Sequence, residues 1–536
     1  MLAHIFSAVV IGIEGHVINV EVDVDRGLPS VLMTGLGDAI VKEATFRCRR
    51  AISNSGYTFP RSRVVINLLP PWMHKHGSQM DLAIAVGILI ASNQINVELN
   101  LAETVILGEL SLDGNVNGTK GILPMLMAAK KFGIKKAIIP RGSMYEASFC
   151  KDVELFEVSN LREAVLAVEG KKIGSMWYRT DCDYKELLQS CYNTVSNNTM
   201  SKNKIKQTIT VDFRGTEDSI EKAAKKDFSQ IKGQEACKLA LVAAVSGGHN
   251  ILLRGNPGTG KSMMAERICT IMPRLSEEEY LQIMTIYSSA DKLTMKSKIE
   301  RPFRSPGSSS TRASLIGGGV PLKLGEITLA HRGVLFLDEI NQFENGVLQA
   351  LREPMEDKMV VITRQGVEHH LPADFMLVAA ANPCPCGYRG HPKISCKCSE
   401  KMIRSYNSKL SGPLLDRIDM YVDVATVDYE HLTQSGRVLD SKSMLEMVEG
   451  ARDVQLKRQG NTLNGNLLHE DVERYCCGTK DGEELLREGC AALALSPRGV
   501  FKIRKVARTL ADLDKKETIE AEHFASALAY RERVID

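Results

Sequence analysis

The spacing of hydrophobic positions divides the chain into four stretches. Over residues 1–168, short strand-like and helix-like patterns alternate. Val17 to Val24 (VINVEVDV) interleaves apolar with polar or charged side chains, as a half-exposed strand does, and Ala39 to Ala51 has helical spacing with Arg and Lys on its other face. The pattern predicts an α/β or α+β unit. Over 169–226 the apolar signal fades. Ser196-Asn197-Asn198-Thr199 and Ser201-Lys202-Asn203-Lys204 have nothing to bury, so this stretch reads as a linker. From Asp227 the order is helix (Cys237 to Val245), strand (Asn250 to Leu253), glycine-rich loop and helix, the opening of an α/β nucleotide-binding domain expected over 227–425. Residues 426–536 are largely helical in pattern and predict a smaller α module.

Composition narrows the classes. Across 536 residues, 68 Lys+Arg oppose 65 Asp+Glu, a formal charge of +3, so any nucleic-acid surface must be local rather than global. The apolar run Ile5 to Ile13 lacks a basic flank and meets Glu14 at once, and Leu82 to Ala91 is too short to cross a bilayer. Neither export nor membrane insertion is expected, and the expected compartment is the cytoplasm. There the 13 cysteines stay reduced, and clustered ones are weighed as metal ligands before disulfides.

The strongest local signal is Gly255-Asn256-Pro257-Gly258-Thr259-Gly260-Lys261-Ser262, preceded by the apolar Ile251-Leu252-Leu253. In this strand-to-helix setting glycines let backbone N–H groups wrap phosphates, Lys261 brings a positive charge to the β and γ oxygens, and the Ser262 hydroxyl ligates Mg²⁺. ATP and Mg²⁺ are therefore the expected cofactors. Val334-Leu335-Phe336-Leu337-Asp338-Glu339 places two carboxylates at the end of an apolar strand. Asp338 suits Mg²⁺, and Glu339 suits polarising an attacking water. A third strand, Phe375 to Ala381, ends in Asn382, which could hold the same water.

Three further segments carry candidate chemistry. Arg301 to Gly319 (RPFRSPGSSSTRASLIGGG) is rich in Pro, Gly and Ser and contains Arg301, Arg304 and Arg312. Met359 to Leu371 reads as a β-hairpin with Thr363-Arg364-Gln365-Gly366 at its turn. Cys384-Pro385-Cys386 and Cys396-Lys397-Cys398 form C-x-C-x9-C-x-C, four thiolates able to enclose a structural Zn²⁺, with Gly387, Gly390 and Pro392 letting the loop fold back.

These residues together resemble the magnesium-chelatase-like AAA+ ATPases, specifically the YifB/ComM family. The resemblance covers nearly the whole chain and is carried by GLPSVLMTGLGDAIVKE, KHGSQMDLAIAVGILIAS, GGHNILLRGNPGTGKS, RPFRSP, LIGGG, AHRGVLFLDE, AANPCPCGY, SGPLLDRID and KVARTLADL, in collinear order. It implies Asn382 as sensor 1, Arg417 as an arginine finger offered to the neighbouring subunit's γ-phosphate, and Arg498 as sensor 2 in a C-terminal helical lid. It implies that 301–319 is an insert in the second helix, although Gly307-Ser308 stands where members usually show a His pair. The hairpin would point into a central pore with Arg364 at its tip, and Arg364, Arg301, Arg304 and Arg312 become the expected DNA contacts. The N-terminal domain resembles a Lon-protease (S5-like) domain, with Leu123 where the catalytic lysine belongs and Ser78 left without an activating base. The implied function is a homo-hexameric DNA motor promoting branch migration during DNA integration, with other recombination proteins as partners and no membrane association. Its rivals are a protein-remodelling motor, an ATP-dependent protease and an ATP-gated scaffold.

Overall fold

A computed structural model describes residues 2–171, 178–179, 226–293, 300–319, 322–364, 367–410, 412–426 and 438–531. Most of the expected linker lies outside these residues. Two compact units emerge: one from residues 1–214 with 280–297 and 320–323, the other from 215–279, 298–319 and 324–536.

The first unit is built on an eight-stranded mixed sheet. Its order is Tyr178–Arg179, Glu154–Val158, Lys136–Pro140, Thr104–Ile106, Leu2–Ile11, Glu14–Asp25, Arg63–Leu69 and Ser30–Thr34. The alternating VINVEVDV segment lies within Glu14–Asp25, which pairs antiparallel with Leu2–Ile11 and with Arg63–Leu69. Ile18, Val20 and Val22 are buried while the residues between them are not, as the period-2 pattern requires. The helix Ala39–Asn54 is capped by Asp38, whose carboxylate accepts from the Val41 N–H at 2.8 Å. The apolar run near residue 85 becomes the helix Asp81–Ala91, buried at every position.

The second unit holds a five-stranded parallel sheet in the order Phe303–Arg304, Val334–Leu337, Met376–Ala381, Ile251–Gly255, Met420–Val424. Val334–Leu337 and Met376–Ala381 are buried throughout, as near-continuous apolar strands of a parallel sheet are. The helix Glu235–Gly247 precedes the phosphate-loop strand and Lys261–Arg267 follows it. Parallel strands bring their carboxyl ends to one edge, so Gly255, Asp338 and Asn382 emerge together. The hairpin forms with Met359–Arg364 antiparallel to Val367–Pro372 and Arg364 opposite Val367; its turn residues Gln365 and Gly366 lie outside the described ones.

After the last sheet strand the described chain is helical: Ser441–Gln459, His469–Tyr475, Lys480–Ala492, Pro497–Leu513 and Ala521–Ala529. Pro497–Leu513 starts with Ser496 as N-cap, its hydroxyl accepting from the Gly499 N–H at 3.2 Å, and Pro497 in the first turn. Ile503 and Ala507 face the core of this unit, with Val500 and Leu510 partly buried beside them.

Candidate functional site

Gly258 and Gly260 take positive φ, 78° and 92°, where a side chain would be strained, so the loop from Gly255 to Ser262 can curl before the helix begins at Lys261. Lys261 folds over that curl. Its Nζ donates to the Gly255 carbonyl (2.7 Å), the Asn256 carbonyl (2.8 Å) and Asn382 Oδ1 (3.2 Å). Burial lowers the Lys261 pKa, and the nearby Asp338 and Glu339 oppose that shift. The Ser262 hydroxyl donates to Asp338 Oδ2 at 2.8 Å. One oxygen from the first turn of a helix and one from the end of a strand thus meet beside the phosphate loop, the donor set that a small, oxygen-seeking Mg²⁺ takes alongside phosphate oxygens. Thr259 locks the loop from inside, its hydroxyl donating to the Asn256 carbonyl at 2.9 Å.

Glu339 follows in a left-handed conformation with φ 49°. Its N–H donates to Asp338 Oδ1 (3.0 Å), and its own Oε2 accepts from Gln342 Nε2 (2.5 Å). Tyr406 lies close by, its phenol pushed up to about 12 by burial and then by the Glu339 charge. Asn341 Nδ2 donates to the Tyr406 carbonyl at 3.1 Å. Sequence reading identifies the carboxylates and misses Gln342 and Tyr406, because nothing in their local pattern marks them as neighbours of Glu339.

The two expected phosphate-sensing arginines form a second cluster. Arg417 Nη2 lies 2.7 Å from Glu356 Oε2, its Nε donates to the Arg352 carbonyl (2.9 Å) and its Nη1 to the Pro413 carbonyl (2.6 Å). Arg498, 71% exposed, reaches the other oxygen of the same carboxylate at 3.7 Å. Glu356 therefore bridges both arginines, a link that no spacing in the sequence signals. Asp419 is paired with Lys502 at 3.0 Å.

The four remaining arginines divide by environment. Arg301 is 8% exposed; it pairs with Glu279 at 3.0 Å and donates to the carbonyls of Pro273, Arg274 and Arg332. Arg304 forms a two-pronged pair with Glu326, at 2.5 and 2.8 Å. Both guanidiniums are committed to carboxylates of their own unit, Arg301 nearly buried and Arg304 partly exposed. Arg312, opening the helix Arg312–Ile316, and Arg364, closing the ladder of the hairpin, are exposed. The Arg364 guanidinium lies against Gly318, so a methyl group built there would stand 3.1 Å from it. Hairpin and insert thus meet at Arg364.

The four clustered cysteines converge. Cys384 Sγ lies 3.4 Å from Cys386 Sγ and 3.6 Å from Cys396 Sγ, and Cys386 and Cys396 are 3.6 Å apart. With Cys398, all four sulfurs fall within 4.8 Å of one another. In the first unit, Leu123 is fully buried and its N–H donates to Glu146 Oε1 at 2.9 Å. Lys75, also fully buried, donates to the Gly35 carbonyl (2.8 Å), the Leu68 carbonyl (2.9 Å) and the Pro70 carbonyl, and burial brings its pKa down to about 8. Among the described residues no helix is long and apolar enough to cross a membrane.

Comparison with known proteins agrees with this geometry. Residues 227–432 match the family described as magnesium chelatase, subunit ChlI, residues 20–143 match subunit ChlI of Mg-chelatase, and residues 439–531 match the ChlI C-terminal family. The competence protein ComM of Haemophilus influenzae is 33% identical over 535 residues, covering 99% of this chain and 98% of its own. The uncharacterized protein YifB of Escherichia coli is 34% identical over 533 residues, 99% of this chain and 97% of its own. A shorter similarity, 29% over 252 residues, links 46% of this chain to 25% of the DNA helicase MCM8 of Xenopus laevis. A phosphate loop facing Asp338 and Asn382 across a parallel sheet, in a chain alike from end to end to these relatives, makes this protein a member of the YifB/ComM family of magnesium-chelatase-like AAA+ ATPases.

Proposed function

We propose that the protein is a cytoplasmic, hexameric ATP-driven motor that moves branched DNA, promoting branch migration of recombination intermediates alongside other recombination proteins. Lys261 and the loop N–H groups would hold the phosphates, Ser262 and Asp338 the Mg²⁺, and Glu339 with Asn382 the attacking water. Arg417 and Arg498 would report on nucleotide. The N-terminal unit is read as a non-proteolytic Lon-like domain, since an apolar Leu123 cannot activate a nucleophile, and the C-terminal helices as the lid.

The single observation that carries the DNA reading is Arg364, exposed at the end of a hairpin and touching the glycine turn of the insert. Two segments meeting at one exposed cation suit a grip on a phosphodiester backbone, which carries charge but no sequence information. Arg312 is the second exposed cation of this region. The competence role of ComM and the helicase title of MCM8 point the same way.

A second reading, remodelling of a partner protein, has its own support. Val361 and Val367 on the same hairpin are 53% and 50% exposed, and apolar side chains grip polypeptide better than phosphate. Synthetic four-way junctions incubated with the protein and ATP separate the two. The expected result is ATP-dependent conversion into duplex products, with turnover stimulated by branched DNA. Robust ATP hydrolysis with no junction movement at any salt concentration, together with stimulation by an unfolded protein, would replace the DNA reading with the remodelling one.

A further inference from the structure

The cysteine loop is joined to the nucleotide site on three sides. It leaves the sheet two residues after Asn382, the residue that accepts from Lys261. Its first turn touches the phosphate loop directly: Asn256 Nδ2 donates to the Gly387 carbonyl at 2.6 Å and the Arg389 carbonyl at 3.3 Å. Gly387, at φ 83°, approaches so closely that a methyl group there would stand 2.5 Å from Pro257 Cγ. The loop then runs through Ser399, N-cap of the helix Glu400–Asn407, to Tyr406, whose carbonyl is held by Asn341 just beyond Glu339.

The sulfur arrangement suits a metal. A tetrahedral Zn²⁺ with bonds of about 2.3 Å places its sulfurs about 3.8 Å apart, and the three distances between 3.4 and 3.6 Å approach that edge. A disulfide needs about 2.05 Å, and all four cysteines are free thiols. Backbone N–H groups already point at sulfur, from Arg389 to Cys384 (3.3 Å) and from Cys398 to Cys396 (3.5 Å), the outer contacts that hold thiolate ligands in place. A soft four-thiolate set selects Zn²⁺ over Mg²⁺, which takes oxygen.

We infer that Cys384, Cys386, Cys396 and Cys398 bind one Zn²⁺, and that this metal is a buttress of the phosphate loop, so that nucleotide affinity depends on it. The inference rests on the reading of Gly255 to Ser262 as the nucleotide site. Without the metal the Gly387–Arg389 turn has no fixed position, and Asn256 and Pro257 lose the surface they lean on.

The test uses the full-length protein purified without chelator, with zinc measured by elemental analysis and nucleotide affinity by anisotropy of a fluorescent ATP analogue. About one zinc per chain is expected. Chelation of the wild type, or the double variant Cys396→Ser/Cys398→Ser, should raise the Kd about tenfold, the effect of losing one or two positioning hydrogen bonds, and added Zn²⁺ should restore the chelated wild type only. Asn256→Ala should keep its zinc yet show the same weakened binding, which guards against a cysteine variant that misfolds. Absence of zinc overturns the inference, as does an unchanged Kd after its removal. Lys261→Ala is the separate control: zinc-loaded and unable to bind nucleotide if the phosphate-loop reading holds, whereas normal binding by that variant would strike down the reading itself.

Discussion

Glu339 occupies a backbone region that non-glycine residues adopt at a cost of about 1–3 kcal/mol, with φ 49°, and its carboxylate is held by Gln342 at 2.5 Å. Such strain persists where the surroundings fix it, here the Asp338 contact on one side and Gln342 on the other. The arrangement aims a single carboxylate from the end of a buried strand, and it sharpens what substitution there should do. Glu339→Gln keeps the shape but cannot accept or polarise as a carboxylate does, so it should bind ATP at near wild-type affinity while steady-state phosphate release falls by roughly 10²–10⁴. Lys261→Ala should fail earlier, at binding. Near-normal turnover in both variants, measured beside their equilibrium affinities, would remove these residues from the site. Legibility at this scale follows locality. The eight residues from Gly255 to Ser262 and the pair Asp338-Glu339 are readable because strand, loop and chemistry lie in one short string. Glu356, which joins Arg417 to Arg498 across long sequence separations, is not, because its partners are chosen by the fold.

The helices after residue 438 are legible as elements, since Ser496, Pro497 and the apolar face of Ile503 and Ala507 are local signals, but the seam that fastens them is not. His249, fully buried beside the phosphate-loop strand, contacts Thr509 at 2.8 Å in the helix Pro497–Leu513. Burial pushes its pKa down to about 4; Asp419 pulls the other way, and Lys505 and Lys502 add to the depression. The unfolded chain takes up this proton near pH 6.5, the folded one only near 4, so between those values the unfolded state binds more protons and stability rises with pH. The contribution is complete above about pH 6.5 and lost on acidification towards 4, on the order of 3 kcal/mol. His331, likewise lowered to about 4 by burial, adds in the same direction. Denaturant midpoints should therefore drop from pH 7 to pH 5 for the wild type and drop less for His249→Gln; equal drops would mean that folding does not depress the His249 pKa. The hairpin is a second element whose existence the pattern reveals. Arg364→Ala is expected to leave basal ATP hydrolysis unchanged while DNA stimulation and junction movement are lost, and wild-type DNA binding should weaken steeply with added salt. A variant that still moves junctions at wild-type rates would take the grip away from Arg364.

At the scale of the whole molecule, family membership follows from similarity along the full chain, whereas the assembly must be argued from the two clusters in the second unit. Lys261, Ser262, Asp338 and Asn382 hold one another at the sheet edge, while Arg417 and Arg498 are gathered on Glu356. In the proposed ring the second cluster would have a purpose, with Arg417 offered to a neighbour's nucleotide, Arg498 sensing nucleotide from the helical lid, and Glu356 as the anion they exchange for phosphate. Removing Arg417 should then abolish catalysis without weakening nucleotide binding in its own subunit, and trans arginines of this kind accelerate phosphoryl transfer by roughly 10³–10⁵ in GTPase systems. Mixing isolates the geometry. Lys261→Ala subunits cannot hold nucleotide but still carry Arg417, and Arg417→Ala subunits hold nucleotide but cannot assist a neighbour. Each is inactive alone, yet a ring containing both has some interfaces with an intact nucleotide site facing an intact arginine. Mixed at equal concentration under conditions where heteromers are shown to form, they should recover a measurable fraction of wild-type ATP hydrolysis. No recovery across all mixing ratios would mean that Arg417 serves its own subunit, and that its bond to Glu356 is a structural tie.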